Sequence, residues 1–278
     1  MISVRSFIKS HCVALYFLFT FALSWGCMAA MISPYSFPLT VEESAAVGPF
    51  LYVGMLVGPS VSGLLMIGLV DGWEGYRGLL SRLTRWRLGV RWYAAAVFGT
   101  PMLASLVLFG LSLFSPVFTP ALITSSDKMS LIGMGVGVGL MVGVFEELGW
   151  SGFAVPKLRR SYSVLVTGVL VGLLWGLWHF PPFWEHDSFI VGMPLALLVA
   201  RLFAWLPPFR VLMVWVHDRT GSLSLTMLMH GSLVFSTLAL PPATLVGVNL
   251  LIWLAAWGAV LWVVAWLITS RIGSPDQA

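Results

Sequence analysis

Eight stretches of this chain run on without the polar interruptions that a water-exposed surface needs. They lie near residues 11–33, 46–70, 92–115, 130–154, 163–184, 190–216, 220–240 and 243–269. A helix needs ~20 apolar residues to cross the hydrocarbon core of a bilayer. The runs therefore predict an all-α integral membrane protein, a bundle of about eight transmembrane helices. The apolar–polar alternation of a membrane β-barrel is absent. Composition agrees: 59% of residues are hydrophobic and 9% charged, where soluble domains carry about a quarter charged. No internal repeat or low-complexity tract divides the chain, so residues 1–278 read as one membrane domain.

Cations set the expected orientation. Threading eight runs puts thirteen of the fifteen Lys and Arg on one side. These are Arg5, Lys9, Arg77, Arg82, Arg85, Arg87, Arg91, Lys157, Arg159, Arg160, Arg210, Arg219 and Arg271. Lys128 falls opposite, and Arg201 sits inside a run. By the positive-inside rule both termini are cytoplasmic, as expected of a multi-pass protein of the plasma or inner membrane. Glu42, Glu43, Asp127, Glu185 and Asp187 lie on the other side. The pI of about 9.3 thus reflects topology and points to no nucleic-acid partner. The first run is too long for a secretory signal and reads as a retained helix. Cys12 and Cys27 both fall within it and can build neither a disulfide framework nor a thiolate metal site.

Residues 71–91 form a basic amphipathic segment, with Arg interleaved among Leu79, Leu80, Leu83, Trp86 and Leu88. Such a segment lies at the cytoplasmic interface against anionic lipid. Gly135, Gly139 and Gly143, and then Gly168, Gly172 and Gly176, recur every fourth residue. This spacing lets helix backbones approach closely in lipid and predicts tight packing of the fourth and fifth helices.

Ionisable groups inside a bilayer cost ~2.5–3.5 kcal/mol each on insertion scales, which makes them functional candidates. Here they are Glu146 and Glu147 on the fourth run, His179 on the fifth, Arg201 on the sixth and His230 on the seventh. A carboxylate out of bulk water suits general-base work. An imidazole can orient a water or donate to a developing oxyanion. No Ser or Cys here is paired with a base, so an activated water is the better hydrolytic reading than a covalent nucleophile. Internal pairing of the glutamates with Arg201 is the structural alternative.

Three motifs then follow in order: Glu146-Glu147-Leu148-Gly149-Trp150-Ser151, Trp175-Gly176-Leu177-Trp178-His179, and His230-Gly231-Ser232-Leu233-Val234. Together they resemble the CPBP (Abi) intramembrane proteases, which include the type II CAAX prenyl endopeptidases. That family's pattern is EExxxR, FxxxH and HxxxN or a variant. The resemblance is motif-level between about residues 140 and 240, within a motif-bearing core of about 130–240.

It implies that Glu146 and His179 activate the hydrolytic water, that Glu147 supports the site, and that His230 stabilises the oxyanion. Trp175 stands where the family has phenylalanine, Ser151 where it has arginine and Val234 where it often has asparagine. Ser151 cannot form the ion pair one turn after Glu147, and Arg201 is the expected substitute from across the bundle. Thr226 and Thr237, near the face of His230, are candidate replacements for the missing asparagine.

No cofactor is favoured. Zinc is the alternative, with Glu146, His179 and His230 as its ligands, though no HExxH spacing exists. The expected partners are membrane lipids and a peptide or membrane-protein substrate. Rival readings are a catalytically inactive scaffold or immunity-type partner, and a transporter or proton relay. At ~1.5 Å rise per residue, straight upright helices leave His179 about 12 Å too far out to meet Glu146 and His230. Tilt, a re-entrant turn or continuation of the fourth helix past Phe153 is needed to close that gap.

Overall fold

A computed structural model describes residues 4–35, 39–184 and 193–271; among them every regular element is helical. Glu185 and Asp187 lie outside the described residues. A short lead-in helix, Val4–Ser10, precedes α1 (Cys12–Ile32). Then follow α2 (Val41–Leu83), α3 (Val90–Ser112), α4 (Lys128–Glu147), α5 (Val164–Trp178), α6 (Pro194–Phe203), α7 (Leu206–Thr220), α8 (Leu223–Ala239) and α9 (Gly247–Ser270).

Side-chain caps mark the starts. Thr40 and Glu43 form a reciprocal capping box at α2. Asp127, Ser163 and Ser222 each accept the amide three residues on. These caps satisfy amides that have no partner within the helix.

Six segments are long and apolar enough to span a membrane, Pro194–Thr220 counting as one, and α5 and α8 are shorter apolar helices. The total agrees with the eight runs, but the sixth run is not one helix. It breaks at Ala204-Trp205 and restarts at Leu206, where Pro207 and Pro208 occupy the first turn. Proline lacks the amide that a first turn leaves unbonded anyway, so a Pro pair favours a helix start. The fourth run also changes form. Beyond Glu147, residues Trp150–Ala154 make a π-type turn, with Ala154 N–H and Val155 N–H bonded five residues back.

The two glycine stripes seat on different partners. An added Cβ at Gly139 or Gly143 meets the α8 backbone at Gly231 or Met227, and one at Gly172 meets Pro207 Cα of α7 at 2.5 Å. The expected tight packing of the fourth and fifth helices is therefore packing of α4 on α8 and of α5 on α7.

Basic loops gather at one end of the bundle. There Lys157 meets Asp71 at 2.6 Å, and Arg159 grips both carboxylate oxygens of Asp218 at 2.9 and 3.1 Å. At the other end Ala121 N–H bonds Leu240 C=O. Helix α2 bends at Gly72, where φ 64° and ψ −148° place the backbone in a region only glycine occupies readily. Past the bend, residues 73–83 run along the basic end. Leu79 turns inward at 5% exposure, whereas Trp73 and Leu80 face out at 69% and 59%.

Candidate active site

The site forms where α4 ends. Glu146 and Glu147 are 2% and 0% exposed, and their carboxylates point into different surroundings. Glu146 Oε2 accepts two indole hydrogen bonds, from Trp150 Nε1 at 3.0 Å and Trp175 Nε1 at 2.7 Å. Trp150 reaches back because the π-type turn begins on it. Trp175 reaches across from α5.

Glu147 faces a cation instead. Arg210 Nη1 donates to both of its oxygens at 2.9 Å, and both side chains are fully buried. His230 Nδ1 lies 2.7 Å from Glu147 Oε1, and the Ser151 hydroxyl donates to Oε2. The Arg210 guanidinium also stacks 4.1 Å above the Trp175 ring. The guanidinium can reach Glu147 because Gly172 on α5 leaves room: an added Cβ there lies 3.2 Å from Arg210 Cβ.

Two sequence expectations are corrected here. The cation that meets Glu147 is Arg210, not Arg201. Arg201 lines a neighbouring pocket of about 650 Å³, together with Trp205 and Trp253. Arg210 also leaves the tally of loop cations, being wholly buried in α7. The sequence held a signal for it. Pro207-Pro208 fixes a helix start, which puts Arg210 inside a helix and not in a loop.

His179 caps the C-terminus of α5. Its Nδ1 lies 2.9 Å from Trp175 C=O, its ring stacks on Phe183 at 5.1 Å, and Trp178 meets it edge-on at 4.8 Å. A carbonyl can only accept, so this hydrogen bond places the proton on Nδ1 and leaves the Nε2 lone pair available. Trp25 of α1 donates to Trp178 C=O at 3.0 Å and steadies this helix end.

The expected 12 Å gap closes in two ways. Helix α5 starts only at Val164, about 6 Å of rise later than one begun at Arg160. The fourth helical segment also runs on past Phe153, through the π-type turn, to Leu158.

Glu146, Trp175, His179, His230 and Val234 all line one cavity of about 230 Å³. Of the suggested replacements for the missing asparagine, Thr237 lines that cavity. Thr226 is buried and donates to Ser222 C=O at 2.9 Å. Among the described residues no three His, Cys, Asp or Glu side chains are grouped closely enough to hold a metal ion.

Residues 128–236 match the protein-family model described as type II CAAX prenyl endopeptidase Rce1-like. The matched span contains Glu146, Glu147, Ser151, Trp175, His179, Arg210, His230 and Val234, and ends one residue before Thr237. These findings support the CPBP family for this chain. A 50-residue stretch is 42% identical to the CAAX prenyl protease 2 of Methanococcus maripaludis. That stretch covers 18% of this chain and 18% of the relative.

Proposed function

We propose that the protein is an intramembrane endopeptidase that hydrolyses a peptide bond of a membrane-associated substrate by attack of an activated water. The observation that carries this reading is the convergence of Glu146, His179 and His230, from three helices, on one cavity. The Rce1-like match over 128–236 and the name of the archaeal relative support the same reaction class.

The two indole donors hold Glu146 Oε2, and neither bonds Oε1. A water between Glu146 and the Nε2 lone pair of His179 would find two acceptors for its hydrogens. Its oxygen lone pair is then free to attack the carbonyl carbon, and the proton it loses passes to Glu146.

His230 donates from Nδ1 to the Glu147 carboxylate. It can therefore offer an N–H to the oxyanion only when Nε2 is also protonated. Glu147, the acceptor on Nδ1, fixes the ring so that Nε2 is the atom offered to the oxyanion. Arg210 and Ser151 hold Glu147 in place for this role. Collapse of the tetrahedral intermediate returns the proton to the leaving amine.

In this reading water attack needs no cofactor and no metal. Both termini are cytoplasmic, as the loop cations indicate, and the cavity takes a peptide segment from the bilayer.

The test is cleavage of a membrane-peptide library by purified protein in proteoliposomes, with and without chelator, alongside Glu146→Ala and His179→Ala. Cleavage by the wild type that resists chelator is expected, with a loss of about 10²–10⁴-fold in each variant. Chelator-sensitive cleavage would transfer the role of Glu146, His179 and His230 to metal ligation. Cleavage unchanged in either variant would end the proposal.

A further inference from the structure

We infer that Arg82, on the segment of α2 past the Gly72 bend, is a positioning residue that clamps the π-type turn carrying Trp150 and Ser151. The inference rests on the endopeptidase reading for its kinetic consequence.

Its origin is a proline. In a π-type register the carbonyl of Ser151 looks for the amide of residue 156; in an α register the carbonyl of Gly152 looks for the same amide. Residue 156 is proline and has none. Val155 N–H, the remaining local candidate for Ser151 C=O, is bonded to Trp150 C=O instead. Buried carbonyls left without a donor are costly, so a partner must come from elsewhere.

Arg82 supplies it with both terminal nitrogens. Nη2 donates to Gly152 C=O at 2.8 Å and Nη1 to Ser151 C=O at 3.3 Å. Nε adds a bond to Gly78 C=O at 3.3 Å, within its own helix. A planar fork of donors matches two adjacent carbonyls in a way an ammonium does not. The contact is reinforced by Leu79, since an added Cβ at Gly152 lies only 3.1 Å from Leu79 Cδ1.

The turn so held supplies two of the bonds on the glutamates, Trp150 Nε1 to Glu146 and Ser151 Oγ to Glu147. Releasing it loosens both carboxylates while leaving the cavity lining and the Glu147–Arg210 pair in place. Arg82 thus links the segment at the basic end of the bundle to the geometry of the buried site.

The test uses full-length protein in proteoliposomes of one fixed composition, comparing Arg82→Ala, Arg82→Lys, Pro156→Ala and the Arg82→Ala/Pro156→Ala double variant. Two quantities are read: kcat and KM on a peptide the wild type cleaves, and amide hydrogen exchange over residues 150–158. Arg82→Ala is expected to lower kcat about tenfold at nearly constant KM, since small misplacements of catalytic groups are expensive. It should also speed exchange at Phe153 and Ala154.

Arg82→Lys, which keeps the charge but not the fork, should fall between wild type and Arg82→Ala. Pro156→Ala restores an amide, so adding Arg82→Ala to it should cost about twofold or less. An unchanged kcat in Arg82→Ala, or the same loss in both backgrounds, overturns the inference. If the wild type cleaves nothing, the function reading falls and exchange alone decides the clamp. Faster exchange in Arg82→Ala, restrained again in the double variant, then upholds it; equal exchange overturns it.

Discussion

Glu146 and Glu147 are neighbours in sequence at the end of α4, yet they look into two differently furnished regions. Behind α4, Glu147 meets a guanidinium, an imidazole and a hydroxyl, all buried. In front, Glu146 meets two neutral indole donors and borders the cavity. The rear region is ionic, and each oxygen of Glu147 has partners there, as a structural support must. The front region orients one carboxylate oxygen without neutralising the group. A helix end can separate two such roles because adjacent side chains project about 100° apart around the axis.

This contrast can be broken from either side. The largest expected effect is on the rear. Arg210→Met leaves Glu147 buried without its cation and should destabilise the protein by about 3–5 kcal/mol, read as a lower thermal unfolding midpoint in fixed detergent. Adding Glu147→Gln should recover most of that stability, because the charge needing compensation is gone. If the double variant is no more stable than Arg210→Met alone, the rear region is not held by the ion pair.

On the front, Trp175→Phe removes one of two donors to Glu146 and should lower cleavage by up to about tenfold. Its effect on stability should be small, since the ring and its stacking under Arg210 remain. An equal loss from Trp150→Phe would confirm that the two indoles share one task. The smallest effect is a gain: Val234→Asn restores a polar group beside His230 on the cavity wall and should raise kcat about three- to tenfold. A fall in kcat would show that the cavity uses this position for apolar contact with substrate.

Much of the architecture could be read from run length alone. A bilayer core sets a minimum apolar stretch; the chain offers eight apolar runs, and the structure has six segments of spanning length with two shorter apolar helices. Glu146, His179 and His230 were visible because ionisable groups in apolar runs have few innocent explanations. Arg210 was not, although its type is the same. It sits toward the end of the sixth run, beside the connection to the seventh, where a loop cation and a buried one look alike until the Pro207-Pro208 helix start is given its weight.

The partners of the glycine stripes were also hidden. Spacing reveals that a helix has a close-packing face but not which neighbour fills it. The indole bonds to Glu146 depend on a π-type turn and on the phase of α5, neither of which has a strong local signature. The link from Pro156 to Arg82 joins residues 74 positions apart. Sequence shows the missing amide there, but only the folded chain shows what replaces it.

The seam between α4 and α8 carries a consequence for the membrane around it. At Gly139 and Gly143 the two helices meet main chain to main chain, with no side chain between them to compress or repack. Glu147 lies one turn beyond Gly143, and His230 adjoins Gly231 on the facing helix. The backbones that carry their 2.7 Å contact are therefore spaced by direct steric contact. A thicker or thinner bilayer, acting on the lipid-facing apolar surfaces of α3 and α9, can tilt the outer helices while this pair keeps its spacing. Such a seam makes the spacing of this buried pair less sensitive to bilayer thickness than the tilt of the outer helices.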